Sequence, residues 1–148
     1  MGLMDSITGE GLYLDTNIFI YALEGYPKFI ASVRALFAAI DEGRIRAVTS
    51  ELTLAESLVK PMMDGNIILQ KFYEDTLQSS EALFVAPITR QILINAARIR
   101  ASSNFIRLPD AIHLATANEC SCQTFLSNDK RLKAISDLNI IILSETGL

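Results

Sequence analysis

Short apolar runs and longer segments with a helical repeat of apolar positions follow one another along this chain. Continuous apolar runs are typical of buried strands, and we predict strands at residues 11–15, 45–50, 82–88, 123–129 and 139–143. Apolar positions that recur every three or four residues indicate helices, which we predict at residues 17–25, 27–43, 51–60, 66–79, 89–102 and 109–119. Pro61 is expected to break the third of these helices.

The alternation of strands and helices predicts an α/β fold with a mostly parallel five-stranded sheet. Strands that are apolar throughout are buried on both faces, so helices are expected to cover both sides of the sheet. At 148 residues the chain is long enough for one domain. We expect residues 1–148 to form that single domain, with residues 1–10 as a loose N-terminal extension.

Acidic residues stand at or near the ends of several predicted elements. Asp15 closes the first strand and Asp129 closes the fourth. Ligands bind at the carboxyl ends of parallel strands, so both side chains are expected at the working edge of the sheet. Asp110 follows Pro109 in the first turn of its helix. Glu56 falls at the border of the stripe that Leu52, Ala55 and Val59 are predicted to bury.

Each of these acids also has a local structural explanation. Asp15 in the sequence Asp-Thr-Asn is a good helix cap, and Asp110 in a first helical turn complements the helix dipole. Asp129 follows Ser and Asn, a combination common in turns, and Glu56 fits the rim of an ordinary polar face of its helix. We interpret His113, the single histidine, as a satisfied and partly buried side chain, and Cys120 and Cys122 as structural residues.

Composition excludes several classes of protein. Half of the residues are hydrophobic and 20% are charged, which indicates a folded globular chain. No apolar segment approaches the ~20 residues of a membrane span. The N-terminal residues lack the basic and apolar regions of a secretory signal. One histidine and two closely spaced cysteines cannot build a zinc site. We therefore expect a cytoplasmic protein that is not associated with a membrane.

The four acids and their contexts together resemble the PIN-domain family, and specifically its VapC-type toxin branch. The matching segments cover the chain from about Gly11 onward and read LYLDTNIFIYAL, TSELTLAESLVKP, RLPDAIHLATA and FLSNDKRL. The resemblance implies a three-layer α/β/α sandwich with strand order 3-2-1-4-5. In that order the first and fourth strands are neighbours, so Asp15 and Asp129 would flank the crevice at the switch point of the sheet.

Convergence of these acids would require a cation or protonation. Two negative charges ~5 Å apart repel by roughly 3 kcal/mol at an effective dielectric constant of ~20. Carboxylates without histidine or thiolate partners favour Mg²⁺ or Mn²⁺. The resemblance likewise implies a metal-dependent endoribonuclease, with Asp15 and Asp110 as direct ligands. Glu56 and Asp129 would act directly or through water, while Thr16, Asn17 and Ser127 would orient these groups.

The net charge of −4 argues against nucleic acid, because phosphate binding requires local positive potential. The site acids account for that charge arithmetically, and bound cations would offset them. Basic residues flank the two C-terminal acids, and we predict that they contact RNA or form ordinary solvated surface; the candidates are Arg98, Arg107, Lys130 and Arg131.

Other functions remain compatible with the sequence. The same fold serves as a non-toxin RNA-processing nuclease, or as an interaction or RNA-binding module without turnover. A phosphoryl-transfer enzyme with an aspartyl nucleophile fits less well, because position 17 is Asn where a second acid is wanted. The resemblance to toxins implies an antitoxin partner and a homodimer.

Overall fold

A computed structural model describes residues 2–7, 11–135 and 137–146 of the chain. No helix in these ranges is both long and apolar enough to cross a membrane. The helices are α1 (Leu3–Ser6), α2 (Thr16–Leu23), α3 (Ile30–Asp41), α4 (Glu51–Met63), α5 (Ile67–Thr76), α6 (Arg90–Ser102) and α7 (Leu108–Glu119). The strands are β1 (Gly11–Leu14), β2 (Arg46–Ser50), β3 (Leu83–Ala86), β4 (Thr124–Ser127) and β5 (Asn139–Ile142).

The five strands form one parallel sheet in the order β3-β2-β1-β4-β5, which confirms the predicted fold and strand order. Successive strand residues face opposite sides, so the sheet contributes to two separate cores. Leu12, Leu14 and Leu126 pack on one side with α1, α2, α3 and α5. Tyr13 and Phe125 pack on the other side with α6 and α7. The sheet is therefore the middle layer of an α/β/α sandwich.

Helix α4 differs from its prediction in two respects. Pro61 does not break the helix, which continues to Met63. A proline so close to the C-terminus forfeits only one backbone hydrogen bond, and its own side chain is buried. The buried positions are Thr53, Ser57 and Pro61, whereas Ala55 and Val59 of the predicted stripe are exposed. Small side chains take the fully buried positions, while Leu52, Leu54 and Leu58 pack partly buried against the two cores.

The expected N-terminal extension falls partly outside the described residues, since residues 1 and 8–10 lie there. Within the described part, α1 is a single short helix that contacts α3. The side chain of Leu3 is buried and belongs to the same core cluster as Val33 and Leu36 of α3. Leu3 thus anchors α1 to the domain, whereas Met4 and Asp5 are exposed.

Candidate active site at the carboxyl edge of the sheet

Asp15 and Ser127 stand side by side where the two central strands end. Strands β1 and β4 are paired through Leu14 and Leu126, and the next backbone amide, that of Asp15, donates to the carbonyl of Leu126 at 3.0 Å. The carboxylate of Asp15 accepts hydrogen bonds from the amide of Thr16 at 2.8 Å and from the hydroxyl of Ser127 at 2.7 Å. Asp15 therefore caps α2, as its local sequence predicts, and also faces the neighbouring strand.

Ser127 connects Asp15 with the loop that carries Asp129. Its Oγ accepts from the amide of Asp129 at 3.0 Å and from Nδ2 of Asn17 at 3.3 Å. Asn17 in turn accepts a hydrogen bond from the amide of Asn128 at 3.2 Å. Three polar residues were predicted to orient the acids. Two of them, Asn17 and Ser127, hold the loop after β4 against the start of α2.

Glu56 reaches the same edge from α4. Its Oε1 accepts a hydrogen bond from the hydroxyl of Thr16 at 2.8 Å and lies 2.6 Å from Nε2 of His113. The same imidazole nitrogen is 3.7 Å from Oδ1 of Asp15. Thr16 and His113 therefore bridge the two carboxylates. Because the Glu56 side chain is 35% exposed, one side of it faces solvent.

His113 contacts the site, which the sequence-based interpretation of a satisfied buried histidine did not anticipate. Its side chain is 3% exposed, and Nδ1 lies 2.6 Å from the hydroxyl of Tyr13 in β1. One signal for it was present in the sequence. His113 follows Asp110 by three residues within α7, and residues with that spacing lie on one face of a helix.

Asp110 and Asp129 are brought together by one arginine. The carboxylate of Asp110 accepts from the backbone amide of Arg107 at 2.9 Å, which closes the N-terminal turn of α7. The same Oδ2 accepts from Nη2 of Arg131 at 3.2 Å. That guanidinium group also donates to both carboxylate oxygens of Asp129 through Nε and Nη2. Arg131, one of the residues predicted to contact RNA, thus pairs with two site acids.

The acids therefore form two linked pairs. Asp15 and Glu56 are joined by Thr16 and His113, while Asp110 and Asp129 are joined by Arg131. Over the described ranges, no three Asp, Glu, His or Cys side chains are already arranged to hold a metal ion. Two of the four acids have an internal cation as their partner instead.

The environment shifts the pKa values of the first pair in opposite directions. Burial raises the pKa of Asp15, although the charge of His113 and the hydrogen bond from Ser127 act against this effect. Partial burial would also raise the pKa of Glu56, but the hydrogen bond and charge of His113 outweigh it and lower that pKa. Burial would lower the pKa of His113, but Glu56 and Asp15 outweigh it and raise that pKa. A positively charged His113 is thus favoured between the two carboxylates.

The second pair is controlled by Arg131. Its hydrogen bonds outweigh the effect of burial and lower the pKa of Asp129. Arg131 has a raised pKa, chiefly because of the hydrogen bond to Asp129. Asp129 is also the N-cap of the 3-10 helix Lys130–Ala134. Its side chain accepts a hydrogen bond from the amide of Arg131 at 3.1 Å.

The remaining predicted RNA contacts differ in their distance from the acids. Arg107 is exposed at the start of α7, and its charge acts on both Glu56 and Asp129. Lys130 is exposed directly after Asp129. Arg98 instead lines a cavity together with Asn118. At the rise of an α-helix, Asn118 lies about 12 Å along α7 from Asp110.

Comparisons with known proteins agree with this architecture. Residues 12–138 match the family model described as PIN domain. VapBC2 from Rickettsia felis, bound to a DNA fragment from its promoter, has a similar fold with a TM-score of 0.70 and 18% identity, covering 89% of this chain and 98% of that one. VapC20 from Mycobacterium tuberculosis, a toxin that cleaves the sarcin-ricin loop, gives 0.71 and 14%, covering 86% and 97%. A toxin–antitoxin complex from Klebsiella pneumoniae gives 0.65 and 20%, covering 89% and 97%. None of the curated proteins matches the sequence significantly.

Proposed function

The chain belongs to the PIN-domain family, and from this premise we propose that it is a metal-dependent endoribonuclease and the toxin of a toxin–antitoxin pair. The observation that carries the proposal is the linkage of Asp15, Glu56, Asp110 and Asp129 at the carboxyl edge of the sheet, where parallel folds bind their ligands. The toxin assignment draws on the shared fold of the VapC proteins.

The residues present suit a hard divalent cation such as Mg²⁺ or Mn²⁺. The donors are carboxylate oxygens, supported by the hydroxyls of Thr16 and Ser127, and oxygen ligands are the preference of these ions. Burial raises the pKa of Asp15, so a nearby cation would relieve the cost of keeping this carboxylate ionised. We propose Asp15 and Asp110 as direct ligands, with Glu56 and Asp129 acting directly or through water.

The protein's own groups would prepare the hydrolysis of a phosphodiester. A bound divalent cation supplies Lewis-acid stabilisation of charge on phosphate oxygens and lowers the pKa of a water nucleophile. Glu56 has a lowered pKa and therefore stays ionised, so its solvent-facing oxygen can accept a proton from water. His113 and Thr16 hold the Glu56 carboxylate in place through their contacts with its Oε1. Ser127 and the amide of Thr16 fix the orientation of Asp15.

Substrate RNA would approach across the basic residues nearest the acids. Arg107 and Lys130 are both exposed. Arg107 is the N-cap of α7, whose first turn contains Asp110, and Lys130 directly follows Asp129 in the chain. Positive side chains beside a phosphate-processing cleft supply the electrostatic part of nucleic-acid affinity. We propose these two residues as the phosphate contacts and place the protein in the cytoplasm, where RNA is accessible.

An antitoxin partner would cover apolar surface that the chain leaves exposed. The end of α4 and the outer face of α5 carry a cluster of exposed large apolar side chains: Val59, Met62, Met63, Ile67, Ile68 and Phe72. Contiguous apolar surface of this kind is typical of protein interaction sites. We propose that an antitoxin segment binds this surface, and that the toxin itself forms a homodimer.

The decisive test is the cleavage of a mixed RNA pool in Mg²⁺ or Mn²⁺ by the wild-type protein and by Asp15→Asn. The wild type should cleave, and the variant should lose at least about 10²-fold in rate, the usual effect of removing one strong electrostatic group. Asp41→Asn is the matched control, because Asp41 is an exposed acid at the end of α3. Equal cleavage by all three proteins would contradict the site.

A binding module without turnover is the second candidate, and the pairing of Arg131 with Asp110 and Asp129 favours it. An internal cation that permanently replaced a metal would leave RNA binding without hydrolysis. In that case the wild type would bind RNA and would not cleave it at any concentration of Mg²⁺ or Mn²⁺.

A non-toxin processing nuclease would cleave RNA but would form no complex with the product of a neighbouring gene.

A further inference from the structure

Arg131 occupies the position between two site acids that a cation would share. Its Nη2 contacts Oδ2 of Asp110 and Oδ2 of Asp129, and Nε contacts both oxygens of Asp129 at 3.0 and 3.1 Å. Guanidinium is a planar fork of donors that matches carboxylates geometrically. The positive charge required between these acids is therefore supplied by the chain itself.

A divalent cation held by Asp110 and Asp129 would bind the same two carboxylates that Arg131 engages. Oδ2 of Asp110 already accepts from the amide of Arg107, and Oδ1 of Asp129 from the amide of Arg131. The guanidinium adds further hydrogen bonds to these oxygens and to Oδ2 of Asp129. A carboxylate oxygen has a limited number of lone-pair sites, so the guanidinium and a cation compete for them.

The ion pairs of Arg131 with Asp110 and Asp129 are partly exposed to solvent, and we therefore expect them to break and re-form. The side chain of Arg131 is 39% exposed, and ion pairs that reach solvent contribute little net stability. The backbone amide of Arg131 holds the start of the 3-10 helix independently of the side chain. The guanidinium can thus leave the two acids while the loop keeps its conformation.

We propose that Arg131 is an internal counter-cation that competes with the divalent metal ion for Asp110 and Asp129 and so sets the metal affinity of the protein. The inference rests on the proposed function, because it assumes that these acids hold a metal. Arg131 is a positioning residue in this scheme. It keeps the two carboxylates together without metal, and it is displaced when the ion binds.

The first test measures Mn²⁺ binding by calorimetry and by electron paramagnetic resonance, with no RNA present. Arg131→Gln should bind Mn²⁺ about fivefold more tightly than the wild type, the ratio expected from losing an ion pair of ~1 kcal/mol. Lys130→Gln is the matched control, because it removes the same charge from the adjacent exposed residue. Its affinity should change by much less than that of Arg131→Gln.

The outcomes separate this inference from the proposed function. Unchanged affinity in Arg131→Gln, with affinity lost in Asp15→Asn, would overturn the competition and leave the metal site intact. An equal gain in Lys130→Gln would also overturn it, because general electrostatics would then explain the effect. Absence of Mn²⁺ binding in the wild type and in Arg131→Gln alike would overturn both the competition and the metal-dependent function.

A second readout needs no variant that changes the fold. The Nε–Hε resonance of Arg131 in the wild type, assigned by its loss in Arg131→Lys, reports the hydrogen bond to Asp129. Titration with diamagnetic Mg²⁺ should shift this resonance with the same midpoint as metal binding, whereas that of Arg98, which pairs with Asn95, should not move. A resonance of Arg131 that is unaffected at saturating Mg²⁺ would overturn the proposal.

Discussion

Asp15 combines a structural role with the chemical role that we propose for it, because its carboxylate caps α2 and faces Glu56 across Thr16 and His113. The two roles respond differently to an amide. Asn retains an oxygen that can accept from the amide of Thr16, so the cap is kept. The negative charge is lost, and with it the ligand that the proposed function assigns to a divalent cation.

We predict that Asp15→Asn stabilises the metal-free protein at neutral pH. Burial raises the pKa of Asp15, which means that the folded state disfavours the ionised form. That cost is absent below the unfolded pKa of ~3.9 and develops as pH rises through the unfolded and folded values. Urea denaturation without metal should therefore show a higher free energy of unfolding for the variant at pH 7.5, with the difference vanishing near pH 3. A variant that is less stable at pH 7.5 would show that the carboxylate serves mainly as a cap.

His113 provides a second test at the scale of one residue. We predict that His113→Leu lowers the free energy of unfolding by about 1–3 kcal/mol, because the buried hydroxyl of Tyr13 and the carboxylate of Glu56 each lose one of their partners. RNA cleavage should fall with it. His113→Gln, which restores a donor near Glu56, should recover part of the cleavage rate. Full cleavage by His113→Leu would show that the histidine serves the core alone.

Helix α4 shows how one element serves packing, site and surface. Thr53 faces inward and shares hydrogen bonds with Thr49 and Thr16, and Glu56 projects toward His113. Val59, Met62 and Met63 face outward. Leu52, Leu54 and Leu58 pack partly buried against the two cores, so the apolar residues left on the exposed side lie toward the C-terminal end of the helix.

The inward face of α4 includes one hydroxyl that makes no hydrogen bond. Within the part of the chain that the structure describes, Oγ of Ser57 is the buried side-chain atom without a partner. A buried unpaired hydroxyl costs about 1–3 kcal/mol, so Ser57→Ala should leave the free energy of unfolding unchanged or raise it by about 1 kcal/mol. Thr53→Val is the contrasting variant and should lower it by about 1 kcal/mol, because it removes paired hydrogen bonds. Denaturant titration of both proteins checks the prediction, and a loss of stability in Ser57→Ala would contradict it.

At the scale of the whole molecule, the proposed function requires an acidic chain to bind an acidic polymer. The net charge of −4 equals the charge of the four site acids, and Arg131 offsets part of that negative charge at close range. Exposed Arg107 and Lys130 then give the edge of the cleft local positive potential. Local rather than net charge decides the approach of RNA.

We predict that this local charge appears in the salt dependence of RNA binding. In the inactive Asp15→Asn background, Arg107→Gln should flatten the slope of log affinity against log salt by ~0.7, the value for one phosphate contact with a single strand. Arg98→Gln should leave the slope unchanged, because Arg98 lies beside Asn118, away from the acids. Fluorescence anisotropy at several salt concentrations measures both slopes. Equal slopes for the two variants would remove Arg107 from the RNA path.

The sequence by itself determined the five strands, the helices from α2 to α7 and the positions of the acids near the ends of these elements. Continuous apolar runs and helical repeats depend on neighbouring residues, so β1, α6 and α7 were predictable to within one or two residues of their observed ends. The strand order and the family came from four motifs taken together, and both are confirmed. Local propensity misplaced the end of α4, because tertiary packing tolerates Pro61 in a last helical turn.

Only the tertiary structure decided which side chains meet. His113 reaches Glu56 across 57 positions of sequence, and Ser127 reaches Asp15 across 112. These contacts depend on how helices pack on the two faces of the sheet, which no local pattern encodes. The pairing of Arg131 with Asp110 likewise required α7 and the loop after β4 to converge. The sequence thus determined where the acids lie along the chain, whereas packing decided which partner neutralises each of them.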